Sequence, residues 1–111
     1  MQIDEKKVGN VMIVELLSER LDARVSADFK SQMLEIINRG NNSIVIALDR
    51  VEFVDSSGLG AIISSLKTLG HEGEMVIAGP RNTVRSLFKL TRMDKVFKIF
   101  ENTSDAVHAL E

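Results

Sequence analysis

The chain reads as an α/β domain in which an N-terminal hairpin leads a sheet and strands then alternate with helices. Three observations predict this. The runs Ile44–Leu48 and Met75–Ala78 are apolar at successive positions, as strands covered on both faces are. Apolar residues at helical spacing fill the intervals: Phe29, Met33, Ile36 and Ile37; Leu59, Ile62, Ile63 and Leu66; Val84, Leu87 and Phe88. Glycine, asparagine and the single proline punctuate the boundaries between them.

Each element follows in order. Val11–Leu16 predicts a strand, Gln2–Val8 a weaker one, and Gly9-Asn10 a tight hairpin turn between them. Leu21–Val25 leads into a first helix, with Ser26 expected as its N-cap and Asp28 in its first turn. Gly40 ends that helix before Asn41-Asn42. Ile44–Leu48 is a central strand. A second helix is expected from Ser57 to about Gly70, then the buried strand Met75–Ala78. Gly79-Pro80 precedes a third helix that turns Val84, Leu87 and Phe88 inward. Val96–Phe100 is expected as a short strand and Thr103–Leu110 as a closing amphipathic helix.

The 111 residues fit one domain, 1–111, with 44% hydrophobic and 27% charged residues, an ordinary globular composition. A formal net charge of −2 gives no general attraction to nucleic acid or anionic lipid. The absence of cysteine excludes disulfides and thiolate chemistry. No apolar run reaches the roughly 20 residues of a membrane span, and no basic-then-apolar leader opens the chain, so the cytoplasm is the expected compartment. Two matches to the glycosylation pattern, at Asn41 and Asn102, are then read as chance.

Asp55-Ser56-Ser57-Gly58-Leu59-Gly60 is the most informative stretch. It lies where an apolar strand and loop hand over to a helix. Helix starts leave N–H groups unpaired and carry positive potential, so a hydroxyl there caps the helix and a phosphate there is well received. Ser56 or Ser57 is therefore either a helix cap or a modification site. No charged residue occurs from Ser56 to Ser65. The outward stripe expected for this helix, Gly60, Ala61, Ser64 and Thr68, is small and bare, which suits close docking of a partner. A phosphate on Ser56 would add about −1.5 to −2 charges. Asp55 would oppose it, and no cation adjacent in sequence offsets this.

The motif resembles that of bacterial anti-sigma-factor antagonists, which are single STAS domains. The resemblance extends over nearly the whole chain. It includes Leu21-Asp22, Phe53–Gly60, Gly73-Glu74-Met75-Val76, Val84–Phe88 and Val96–Phe100. It implies a mixed sheet of four or five strands packed with about four helices. It also implies a non-enzymatic partner switch without cofactor or metal. The unphosphorylated protein would bind an anti-sigma factor that is also a serine kinase. Phosphorylation at Ser56 would break the complex, and a metal-dependent serine phosphatase would restore binding. Asp22, Asp55, Ser57 and Gly58 would support the acceptor, and Gly60, Ala61 and Ser64 would form the docking face of a monomer. Glu19 stands where the family has glycine in a Gly-x-Leu-Asp pattern, and adds local charge on which partner choice would depend. A permanently docked structural STAS subunit keeps the fold and drops the phosphorylation cycle.

Other constellations are weaker. Arg81, Arg85, Lys89, Arg92, Lys95 and Lys98 recur every three or four residues, as a solvated helix face or a surface for an acidic partner. No aromatic residue interleaves with them outwardly, against nucleic acid. Asp49, closing the strand Ile44–Leu48, is the rival phosphoacceptor of a receiver domain, but a receiver needs acidic residues after its first strand and Asp4 and Glu5 lie before the apolar strand Val11–Leu16. His71 and His108 are the only histidines and lack metal-ligand spacing. No nucleophile elbow or P-loop occurs, and no catalytic set is expected.

Overall fold

The computed structural model describes residues 1–111. A hairpin of β1 (Ile3–Val8) and β2 (Val11–Leu16) opens the chain. Its register, Val8 opposite Val11, leaves Gly9-Asn10 as a two-residue turn, and Gly9 supplies the positive φ that such turns need. β3 (Arg20–Leu21), α1 (Ser26–Asn38), β4 (Ser43–Ala47), β5 (Phe53–Val54) and α2 (Ser56–Leu69) follow. β6 (Glu74–Ala78), α3 (Asn82–Leu90), a 3₁₀ turn (Met93–Lys95), β7 (Ile99–Phe100) and α4 (Thr103–Leu110) complete it.

The main sheet has the order β1-β2-β4-β6-β7, antiparallel at the hairpin and parallel elsewhere. Strand alternation sends Met12, Val14, Leu16, Ile44, Ile46, Met75 and Ile77 to one face, into a core with Phe29, Met33, Ile62 and Phe88 of α1, α2 and α3. Val11, Ile13, Val45, Ala47, Val76 and Ala78 go to the other, against Ala106 and Val107 of α4. Cover on both faces is why the strands read as unbroken apolar runs. β1 is the edge. Its Asp4, Glu5, Lys6 and Lys7 are exposed, and such charges discourage pairing with another chain.

Two expected details differ. Ser26 does not cap α1. Val25 holds the N-cap position without a side-chain bond, and the Asp22 carbonyl instead accepts the N–H groups of Val25 and Ser26 at 3.1 and 2.9 Å. The strand expected over Val96–Phe100 is only Ile99–Phe100. The Val96 and Phe97 N–H groups bond the Met93 carbonyl, closing a turn, while Phe97 packs edge-on against Phe88 in the core.

Candidate functional site

β3 and β5 form a separate two-stranded parallel sheet, Arg20 opposite Phe53 and Leu21 opposite Val54. This brings the loop after β3 to the start of α2. Asp55 joins the two. Its Oδ1 accepts the Gly58 N–H at 2.8 Å, capping α2, and its Oδ2 accepts the Ala23 N–H at 3.1 Å. Its own N–H bonds the Leu21 carbonyl at 3.3 Å.

The cap is thus Asp55 and neither serine, which overturns the cap alternative for Ser56 and Ser57. Ser56 is the first residue of α2, one earlier than the sequence indicates, and both hydroxyl residues are exposed. Gly58 has a steric reason to be glycine. A Cβ there would lie 2.0 Å from the Leu21 carbonyl oxygen, so α2 starts against backbone that admits no side chain. At Gly60 a Cβ would meet nothing within 4 Å. Its smallness is not required by the fold.

Asp22 lies on the loop beside the serines, 9% exposed, but its carboxylate is occupied locally. Oδ2 accepts the Arg20 Nε–H at 3.1 Å and Oδ1 accepts the Arg24 N–H at 3.1 Å. The Arg20 bond, reinforced by the Arg24 N–H and both positive charges, holds the Asp22 carboxyl below its ordinary value, against the opposing effect of desolvation. Arg20 also stacks on Phe53, its guanidinium carbon 4.2 Å from the ring centroid. Two cationic residues, Arg20 and Arg24, therefore sit on or beside the β3 loop that Asp55 ties to the start of α2, more than 30 residues away in sequence. Sequence adjacency gives no sign of them; the pairing of β3 with β5 does.

The docking stripe needs one correction. Gly60 and Ser64 are partly exposed and Thr68 is exposed, but Ala61 is buried at 2% in the core and cannot touch a partner. A helix turns 100° per residue, so Gly60, Ser64 and Thr68 share one line while Ala61 and Ser65 share the next, inward one. Glu19 is exposed, and its carbonyl accepts the Glu52 and Phe53 N–H groups at 2.7 and 3.3 Å, anchoring β5 through backbone alone.

The receiver alternative does not fit. A receiver sheet is doubly wound and parallel, whereas this one opens antiparallel. Asp4 and Glu5 lie on the edge strand, Glu5 paired with Arg39. Asp49 lies against Gly79, where a Cβ would stand 2.6 Å from its carboxylate oxygens. Of the basic series, Arg81 donates to the Asp49 carbonyl at 3.0 Å and Arg85 stands 3.9 Å from Glu101.

Comparison with known proteins agrees with this geometry. Residues 2–106 match the STAS domain family. The anti-sigma F factor antagonist of Paenibacillus polymyxa is 34% identical over 113 aligned positions, covering 100% of this chain and 96% of that protein. An anti-sigma factor antagonist from Mycobacterium paratuberculosis superposes with a TM-score of 0.90 at 23% identity, over 98% of this chain and 92% of that one. The Bacillus cell fate determinant SpoIIAA in its phosphorylated form superposes at 0.75 and 18% identity, over 99% and 100% of the two chains. No helix of this chain is long and apolar enough to cross a membrane.

Proposed function

The chain belongs to the STAS-domain family of anti-sigma-factor antagonists, and from that premise we propose that it is a non-enzymatic partner switch thrown by phosphorylation of Ser56. The observation that carries the reading is the division of labour around the motif. Asp55 caps the helix and Gly58 admits the Leu21 carbonyl, so Ser56 is left exposed without a structural task. The name of the P. polymyxa relative supports an anti-sigma factor as the partner, and SpoIIAA, a neighbour in fold, supports a phosphorylated state.

In this reading the unmodified protein binds a cytoplasmic anti-sigma factor that is also a serine kinase, using Ser56 and the small outer line Gly60 and Ser64. The kinase transfers the γ-phosphoryl group of ATP to the Ser56 oxygen; ADP leaves and the hydroxyl proton is lost. The added charge of about −1.5 to −2 is tolerated within the module. The start of α2 favours an anion, and Arg20 and Arg24 offset the repulsion from Asp55. The penalty falls on the complex, where a bulky dianion stands at the rim of a face suited to neutral contact. A metal-dependent serine phosphatase resets it. Asp22 and Ser57 act as neighbours of the acceptor, Asp22 by holding Arg20. The switch itself uses no cofactor and works as a monomer, without membrane or nucleic acid.

Affinity capture from the source cell with wild-type, Ser56→Ala and Ser56→Glu proteins tests this. The expected result is a serine kinase of the anti-sigma type on the Ala protein and its loss from the Glu protein. Equal capture by all three removes the switch and leaves a permanently docked STAS subunit.

A further inference from the structure

The C-terminal end of α3 and the turn after it expose two large apolar side chains, Leu90 at 82% and Val96 at 52%. Leu90 is also part of the wall of a hollow of about 240 Å³ between β5 and α3, with Phe53, Val54, Val84 and Leu87. Cations crowd the same tip. Lys89, Arg92, Lys95 and Lys98 are all exposed, against Asp94 in the same stretch of chain and Glu52 in the wall of the hollow. None of the four is in an ion pair, whereas Arg85 is matched by Glu101. The whole chain is net negative, so this positive tip runs against its overall charge. Arg92 has φ 62, the only positive φ outside glycine, so a cation occupies a turn position that glycine adopts with less strain.

We propose that this tip is a second docking surface, for an acidic amphipathic segment of a protein partner. An apolar side chain of the segment enters the hollow beside Leu90, and its carboxylates face Lys89, Arg92 and Lys95. Apolar anchors in pockets carry most of the affinity at protein interfaces, and complementary charge around them speeds and orients encounter. The hollow favours a protein segment over a lipid surface, since it accepts a projecting side chain. Asp94 and Glu52 within the surface oppose dense phosphate of either lipid or nucleic acid. Phe97 is buried, and the one exposed aromatic in the hollow's wall, Phe53, is stacked by Arg20, which leaves no series of free ring faces for bases. Leu90 and the four cations lie outside the Ser56 motif, while Phe53 and Val54 of the hollow immediately precede it, and docking here does not depend on phosphorylation.

The test is a low-salt titration of ¹⁵N-labelled protein with a synthetic helical peptide of glutamates carrying leucines three and four positions apart. Amide shifts are expected to concentrate over residues 52–54 and 83–98. Leu90→Ser and the pair Lys89→Glu, Lys95→Glu should each weaken binding by about tenfold or more, and added salt should weaken it further. Both changes lie on the exposed surface, so folding is retained and is checked in the same spectra. Ser56→Glu protein, titrated in parallel, should bind the peptide as wild type does, which separates this surface from the switch. Absent or scattered shifts, or unchanged affinity in the variants, would overturn the proposal. So would tighter binding at the tip by phosphatidylglycerol vesicles or a DNA duplex.

Discussion

Replacing Gly58 by alanine sets helix propensity against sterics. In an open helical position the change stabilises by about 0.5–1 kcal/mol. Here the new Cβ would stand 2.0 Å from the Leu21 carbonyl oxygen, 2.8 Å from its carbonyl carbon and 2.9 Å from its Cγ. The Leu21 side chain can turn away, but its backbone cannot without disturbing the pairing of β3 with β5 and the Asp55 N–H bond it accepts. Overpacking of this kind costs about 1–3 kcal/mol, and a strained or lost hydrogen bond adds about 1 kcal/mol. Net destabilisation of about 2 kcal/mol is expected. That corresponds to a fall in Tm of roughly 8 °C for a domain this size. Gly60→Ala is the control: with no atom within 4 Å of its Cβ, it should raise stability by about 0.5–1 kcal/mol. Urea denaturation of both variants, with unchanged m-values, reads the two signs. A Gly58→Ala protein as stable as wild type would refute the close approach of Leu21 to α2.

Ser56→Ala should change stability by no more than about 0.5 kcal/mol, because Asp55 is the cap, while Asp55→Ala should cost about 1–2 kcal/mol by the same measurement. The lowered Asp22 pKa gives a stability contribution that is complete above its usual value of 3.8 and is lost as pH falls through the lowered folded value. Asp22→Asn should therefore flatten the acid side of the stability–pH profile below 3.8 and leave its shape near neutrality unchanged. Arg92→Gly should leave stability unchanged or raise it by up to about 1 kcal/mol, where glycine within a helix costs about that much. A thermal melt showing clear destabilisation would contradict the left-handed turn.

Much of the fold was legible because burial imposes a pattern. The two-sided core makes β4 and β6 apolar throughout, and the hairpin turn is written in Gly9-Asn10. β7 is shorter than the run Val96–Phe100 suggests because Val96 and Phe97 have similar strand propensities. Only the turn that buries Phe97 and exposes Val96 distinguishes them. At the site, the motif marked the place but not the division of tasks within it. Serine and aspartate are both good caps, so the choice of Asp55 depends on its carboxylate also reaching Ala23. The approach of the loop carrying Arg20 and Arg24 to the start of α2 is hidden because it arises from pairing between β3 and β5, far apart in the chain. Ala61 stands one step around the helix from Gly60, which is enough to move a side chain from surface to core.

The measurement closest to the central claim is the affinity of the captured anti-sigma kinase for two forms of this protein. One is unmodified and the other carries phosphoserine installed at position 56, both shown by spectroscopy to be folded alike. The partner switch predicts that the phosphorylated form binds at least about tenfold more weakly, a loss of about 1.4 kcal/mol or more. Equal affinity of two equally folded forms would contradict it.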